Sequence, residues 1–482
     1  MTDTITKMQD RFHAMKQAHQ AEPNPDLAMR KDDPNPDLAM RKDRLNRLET
    51  AMLRFADRLV TAMNEDFSHR SASEAGTFDV TIPIGDIRMN RRKLRSWMRP
   101  RRYHMPKHLL PLPARGRVIP QPKGVVGVIA PWNFPVYLAI GPVAAALAAG
   151  NRVMVKPSEL TPRTSEVMKQ MIEEVFEPNE VAVFPGGPDV AAAFADLPFG
   201  HLIFTGSTQV GRKVAAAAAR NLTPVTLELG GKSPAIVGEH ADLAYAAKRI
   251  AFGKTVNGGQ VCVSPDYALV PRAQIHDFAG QLETVLKGFY PDIASSPDYT
   301  AIISDRHQQR LQNMISEAEE RGVKVIRVGD TRNSNTRKEA PAILIDPPLD
   351  IQAMQEEIFG PILPVIPYDT QEEAMRFVAE RPSPLALYIF TDKKAERDQW
   401  LSRSLSGGAC VNETAFHVVA DSMPFGGVGE SGMGAYHGKA GFDTFSHLKS
   451  VFYQPKLNAA FLFNPPIQSY QHRVGKILRK II

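Results

Sequence analysis

From Val118 onward the chain alternates short β-branched runs with helical stretches, and no other feature limits its fold as strongly. VVGVIA (125–130) and RVMVK (152–156) flank an alanine-rich helix, AIGPVAAALAAG. TPRTSEVMKQMIEEVF, VAVFPG, DVAAAFADL and HLIFTGS then read as helix, strand, helix and strand. Strands separated by helices are joined by crossovers rather than tight turns, so the pattern predicts parallel βαβ units. It resumes after residue 262 with YALVPR, a helix near 274–288, VKVIRVG and AILID, which predicts a second α/β domain. VIPQP and KSVFYQP lie outside both and are expected to pair as strands of a small arm or interface.

Several classes of protein are disfavoured by the same reading. The 482 residues suffice for two or three domains with a large core. Gly124 to Asn151 carries no charged residue, yet Pro131, Pro135, Pro142 and Trp132-Asn133 interrupt it. A strand, a loop and a buried helix account for it better than a bilayer span. Cys262 and Cys410 are the only cysteines, which argues against a disulfide framework and for a reducing compartment. The polar start MTDTITKMQDRFHAMKQAHQ has no apolar core of a signal peptide, so a cytoplasmic location is expected. The net charge is +6, concentrated in the run Arg88 to His108. Without an accompanying recognition motif this run reads as a solvated helix end and linker, and no nucleic-acid partner is expected.

PNPDLAMRKD occurs twice, at Pro23–Asp32 and Pro34–Asp43. Two copies do not build a solenoid. Asn35-Pro36 has the form of an N-cap followed by proline at N1, so the second copy is expected to open a helix through Arg44, Leu48, Leu53 and Ala56. The first copy is expected to be a surface insertion without function. At the other end, Tyr470, Val474, Ile477, Leu478 and Ile481 fall at helical spacing opposite Arg473, Lys476 and Lys480. This amphipathic tail is expected to pack on its own fold or on a partner subunit; peripheral membrane contact is the less favoured reading.

The chemistry gathers around FGKTVNGGQVCVSPDYALV (252–270). Cys262 stands there between apolar Val261 and Val263, after two glycines whose missing Cβ permits close backbone approach. Glu228, in LELGGKSP, is a candidate base for a thiol nucleophile. Asn133, in APWNFP, offers an amide donor for a developing oxyanion. VKPSE (155–159) and FTGSTQVGR (204–212) read as a cofactor cradle: Gly206-Ser207 would open a helix toward a pyrophosphate, and Glu159 would accept from ribose hydroxyls. In EEIFGP (356–361), Glu357 could hold a second ribose and Phe359 could wall a flat ring. Cys410 reads as structural.

WNFP, VKPSE, FTGSTQVG, LELGGKSP, GGQVC, EEIFGP and PFGGVGESGMG occur in the order found in the aldehyde dehydrogenase superfamily, which the sequence resembles over nearly its whole length. GQVCVSPDY and PFGGVGESGMGAYHGKAGFDTFSH are most similar to class 3 members that oxidise coniferaldehyde. The resemblance implies an aldehyde dehydrogenase-like α/β fold of two parallel-sheet domains and a small β oligomerisation arm. The expected division is 1–109 with 123–228 for N-terminal helices and cofactor domain, 229–440 for the catalytic domain, 110–122 with 441–465 for the arm, and 466–482 for the tail. It implies that Cys262 attacks the aldehyde, that Asn133 and the Cys262 backbone N–H hold the oxyanion, and that Glu228 activates the hydrolytic water. Trp132, Lys156, Ser158, Glu159, Gly206, Ser207, Gly211, Glu357 and Phe359 are the implied cofactor residues. NAD is the expected cofactor, with NADP possible, because the Glu159 carboxylate should repel a 2′-phosphate. A homodimer and a small aldehyde substrate are expected, and no metal. Val261, Val263, Tyr137 and the 414–418 loop are expected to line an apolar tunnel. Transfer of the acyl group to coenzyme A, cysteine esterase activity and an inactive scaffold stand as alternatives.

Overall fold

The expected alternation folds into two largely parallel sheets. The computed structural model describes residues 2–21, 36–103, 114–331, 334–458, 464–466 and 469–481. The first sheet runs Gly432–Met433, Val225–Glu228, His201–Thr205, Val125–Ile129, Arg152–Lys156, Val181–Val183, parallel except for its first strand. Val125–Ile129 is buried throughout, as a central parallel strand covered on both faces must be. The helix that follows, Tyr137–Ala148, is likewise buried at every position, which explains its all-apolar composition. The chain moves outward through Arg152–Lys156 and Val181–Val183, then returns to the other side of Val125–Ile129 with His201–Thr205. That reversal opens a crevice at the carboxyl ends of Val125–Ile129 and His201–Thr205, where open α/β sheets bind ligands.

The second sheet runs Lys324–Arg327, Ala342–Ile345, Ile362–Tyr368, Tyr267–Pro271, Pro234–Val237, Ala386–Phe390, Gly408–Val411, with only the first strand antiparallel. Its strands Pro234–Val237 and Tyr267–Pro271 begin just after Glu228 and Cys262. Glu228 itself ends a strand and pairs across to Gly432, rather than sitting within a glycine-rich turn.

The third sheet pairs Arg115–Pro122 with Ser446–Tyr453 antiparallel, the two segments expected to form the arm. Its other edge, Arg101–Tyr103, comes from the basic segment read above as helix end and linker. Arg101 is held there by Asp443 at 2.9 Å, and Arg88 by Glu49 at 2.6 Å. The helix Pro36–Asp66 begins at Pro36 within the second repeat copy, and Arg41 pairs with Asp37 at 2.6 Å while donating to Ala148 O. The first copy lies outside the described residues. The tail forms the helix Ser469–Ile481, with Tyr470 and Ile477 exposed; the side chains of Val474, Leu478 and Ile481 lie outside the described set. Among the described residues no helix is long and apolar enough to cross a membrane.

Candidate active site

Cys262 follows a turn that the sequence prepares with unusual backbone. Asn257, Gly258 and Gly259 take consecutive left-handed conformations, φ 51°, 61° and 76°. The two glycines serve a different close approach from the one expected. A Cβ on Gly258 would meet Thr300 O at 2.8 Å, and one on Gly259 would meet Gly360 O at 2.4 Å. They let the cysteine turn dock on the protein's own backbone.

Asn257 carries a positive φ without being glycine, and its side chain shows what holds it there. Its Nδ2 donates to Asn133 O at 2.9 Å and to Gln260 O at 3.2 Å. Asn133 Nδ2 donates to the same Gln260 carbonyl at 3.1 Å, which brings the amide to the cysteine turn and leaves its second N–H for another acceptor. The backbone N–H of Asn257 in turn donates to Glu74 at 3.0 Å, and Thr300 Oγ1 donates to the same Glu74 oxygen at 2.8 Å. Glu74 and Asn257 are therefore positioning residues that sequence reasoning missed.

The sulfur is half-buried and accepts from the N–H groups of Cys262 and Val263. Burial, with the nearby Glu357 and Glu228 carboxyls adding to it, pushes the thiol up to about 12. Glu228 is fully buried, both its oxygens lack a hydrogen-bond partner among the described residues, and burial raises its carboxyl well above the usual range. The charge of this carboxyl acts on the thiol, and both of its oxygens are open to a donor. Cys262, Asn133 and Glu228 thus converge. One expected outcome follows: in cofactor-free protein, alkylation of Cys262 by iodoacetamide rises about tenfold per pH unit from pH 7 to 9, because the thiolate fraction stays far below half. Peptide mapping separates it from Cys410; a rate already level below pH 8 would contradict the raised thiol.

An apolar wall stands beside the sulfur. Phe134, Tyr137 and Leu138 form a small cluster of their own with Phe78, Ile82, Val256, Val261 and Val418. Val263 does not join it; this residue belongs to the large core, where its carbonyl accepts from Tyr388 Oη. The expected tunnel lining is corrected accordingly.

At the carboxyl ends of Val125–Ile129 and His201–Thr205 lies a groove of about 1080 Å³. Trp132, Lys156, Ser158, Glu159, Gly206 and Ser207 line it. Ser207 caps the helix Thr208–Ala219, its Oγ accepting from Val210 N at 3.4 Å, so a helix N-terminus borders the groove. Lys156 Nζ donates to Pro157 O at 2.7 Å and pairs with the half-exposed Glu159 at 3.1 Å. Gly211 is not in the groove. A Cβ there would meet Leu229 Cδ2 at 2.6 Å, so its role is close packing of helix on strand end rather than ligand contact. Phe359, held at φ 50°, sets its ring 5.3 Å from that of Trp132, and His307 flanks Trp132 at 5.2 Å. Glu357 lines a neighbouring cavity of about 530 Å³ with its carboxyl against Gly230 and the Gly231 N–H. Among the described residues no three His, Cys, Asp or Glu side chains gather as a metal site.

Comparison with known proteins agrees with this architecture. Residues 8–451 match the aldehyde dehydrogenase family. A probable coniferyl aldehyde dehydrogenase of Pseudomonas aeruginosa is 45% identical over 478 residues, 99% of this chain and 96% of that protein. A coniferyl aldehyde dehydrogenase of a Pseudomonas species is 42% identical over 444 residues, 91% of this chain and 89% of that protein. The structure of a Staphylococcus aureus AldH in a substrate-bound state superposes with a TM-score of 0.90 at 34% identity, covering 98% of this chain and 99% of that one. Two largely parallel sheets, a half-buried thiol beside a buried carboxyl, and a groove bordered by a helix N-terminus are this chain's version of a shared design: it belongs to the aldehyde dehydrogenase family.

Proposed function

We propose that this aldehyde dehydrogenase oxidises an aryl aldehyde of the coniferaldehyde type to its carboxylic acid, with NAD as the preferred cofactor. The observation that carries the substrate class is the apolar wall of Phe134, Tyr137, Leu138, Val261 and Val418 against the sulfur, which suits a flat, extended, apolar substrate. A two-carbon aldehyde would leave most of that wall uncovered. The expected result of a kinetic panel is the highest kcat/KM for coniferaldehyde, intermediate values for benzaldehyde and octanal, and acetaldehyde lower by about 100-fold, since each buried CH₂ is worth about 0.8 kcal/mol. Equal constants for acetaldehyde and coniferaldehyde would overturn the assignment.

In this reading Cys262 gives its proton to the neighbouring Glu228 carboxylate, which releases it to solvent, and attacks the carbonyl carbon, giving a thiohemiacetal. The second N–H of the Asn133 amide and the Cys262 backbone N–H stabilise the oxyanion, and Asn257 keeps that amide in place through their shared Gln260 carbonyl. A nicotinamide held between Trp132 and Phe359 would supply the hydride acceptor, and loss of hydride to it would leave a thioester on Cys262. Glu228 then takes a proton from water as the water attacks the thioester; its raised pKa makes the ionised form a stronger base than an exposed glutamate. Water as acceptor is favoured over coenzyme A because these carboxyl oxygens are free to take its proton. The groove residues fit a dinucleotide: the Ser207 helix end would receive the pyrophosphate and Lys156 with Glu159 the adenosine ribose, while Trp132 and Phe359 would wall the nicotinamide.

Preference for NAD rests on the Glu159 carboxylate, which would face a 2′-phosphate with like charge. Glu159→Gln is expected to raise the NADP-to-NAD ratio of kcat/KM by about tenfold, the size of one like-charge contact largely screened by water, as befits a half-exposed carboxylate. An unchanged ratio would put the discrimination elsewhere. We place the enzyme in the cytoplasm as a homodimer joined through the arm, whose strand Ser446–Tyr453 is exposed along most of its length and presents Leu448, Phe452 and Tyr453.

A further inference from the structure

The segment that carries Asn133 is braced from one short stretch of chain, residues 67–82. The helix Tyr137–Ala148 starts four residues after Asn133, and its N-cap residue Val136 makes no side-chain capping bond. The first N–H groups of a helix need acceptors from outside it. Asp79 supplies one: its Oδ1 accepts from Val136 N and from Tyr137 N, both at 3.0 Å. Its Oδ2 accepts from Arg70 at 2.7 Å, and both side chains are fully buried. Burial raises the Asp79 carboxyl, and the Arg70 charge and the two N–H groups oppose that rise.

The Arg70 guanidinium lies 5.2 Å from the centre of the Phe134 ring and 4.8 Å from that of Phe67. Phe67 in turn sits 6.2 Å from Trp132. Phe78 precedes Asp79 in the π-helix Ala75–Thr81, a rare wide turn that recurs at functional sites, and meets Phe134 edge-on at 6.1 Å. Asn133 therefore stands between neighbours that this stretch fixes on both sides, with its amide on the Gln260 carbonyl at 3.1 Å. From the same stretch Glu74 reaches the cysteine turn, accepting the Asn257 N–H. A fully buried ion pair adds little stability over an apolar pair of the same volume, so stability alone is a poor account of Arg70 and Asp79.

We propose that Asp79, held by Arg70, is a positioning residue for catalysis: by clamping the chain just beyond Asn133 it fixes that amide where the oxyanion forms. A displacement of about 1 Å in such a donor can lower a rate by about 10²-fold. The inference rests on the reading of Asn133 as oxyanion donor and adds what aims it.

The test reads the single-turnover rate of NADH formation, with enzyme and NAD in excess of coniferaldehyde, in the presence and absence of the Asn133 amide. Arg70→Met with Asp79→Leu replaces the pair by apolar side chains of similar volume and is expected to lower that rate by about 10- to 100-fold. In an Asn133→Ala background the same replacement is expected to change the rate by less than about twofold, because no donor is left to aim. Arg70→Gln with Asp79→Asn keeps a neutral acceptor for the two N–H groups and is expected to stay within about threefold of wild type. Asp79→Glu, which keeps the charge but moves the carboxyl by one methylene, serves if melting shows the apolar pair unfolded. It is expected to lose about tenfold, again only where Asn133 is present. Equal losses in both backgrounds, no loss in the protein that has Asn133, or a loss in the amide pair as large as in the apolar pair overturns the inference and leaves the covalent mechanism standing. An Asn133→Ala variant with the wild-type rate overturns the oxyanion reading beneath it.

Discussion

Replacing Cys262 by alanine is expected to reduce aldehyde-dependent NADH formation by at least about 10⁴-fold, the scale on which loss of a nucleophile is felt. Asn133 and Glu228 remain in that variant, but neither forms a bond to carbon, so no hydride donor is made. The other thiol offers no substitute. Cys410 ends up at the strand Gly408–Val411, buried, with its sulfur 3.2 Å from His417 Nδ1. Retention of NAD binding, read by thermal shift, separates loss of chemistry from loss of fold. Appreciable NADH production by folded Cys262→Ala would end the covalent account.

Glu228→Gln is expected to lower steady-state turnover by about 10²- to 10³-fold, the usual worth of a positioned general base. The amide is nearly isosteric, so the pocket keeps its shape, but it cannot take the proton of the attacking water. Acyl-enzyme formation precedes that step, so a burst of NADH close to one per active site is expected before the slow phase. An unchanged rate without a burst would contradict the assignment of Glu228 as base.

How much of this was legible in the sequence depends on where each constraint is written. Cys262, Asn133, Glu228, Trp132 and Phe359 stand in short motifs whose order along the chain carries information, and the fold sets the Asn133 amide on the cysteine turn and the Phe359 ring beside Trp132. The βαβ alternation was equally local, because burial on both faces demands continuous apolar runs such as Val125–Ile129. Glycines were legible as close approaches but not as to what approaches: Gly211 meets Leu229, and Gly258 and Gly259 meet backbone of residues 300 and 360. The partners of the cysteine turn were not legible at all. Glu74 lies 183 residues from Asn257, and only the folded chain reveals that its carboxyl receives that N–H. Lys254 is another such case, a cation buried beside Asp266 and Glu357 with its pKa lowered to about 8 by that burial. The pairing of Tyr137 with His437 across 300 residues is a third.

The account stands on a covalent acyl intermediate carried by the sulfur at the floor of the crevice. Rapid-quench mass spectrometry of Glu228→Gln, mixed with coniferaldehyde and NAD, examines that intermediate itself. The predicted result is a near-stoichiometric acyl adduct on the peptide bearing Cys262, appearing with the NADH burst. NADH formed while that peptide stays unmodified, or an adduct at Cys410 instead, would contradict it.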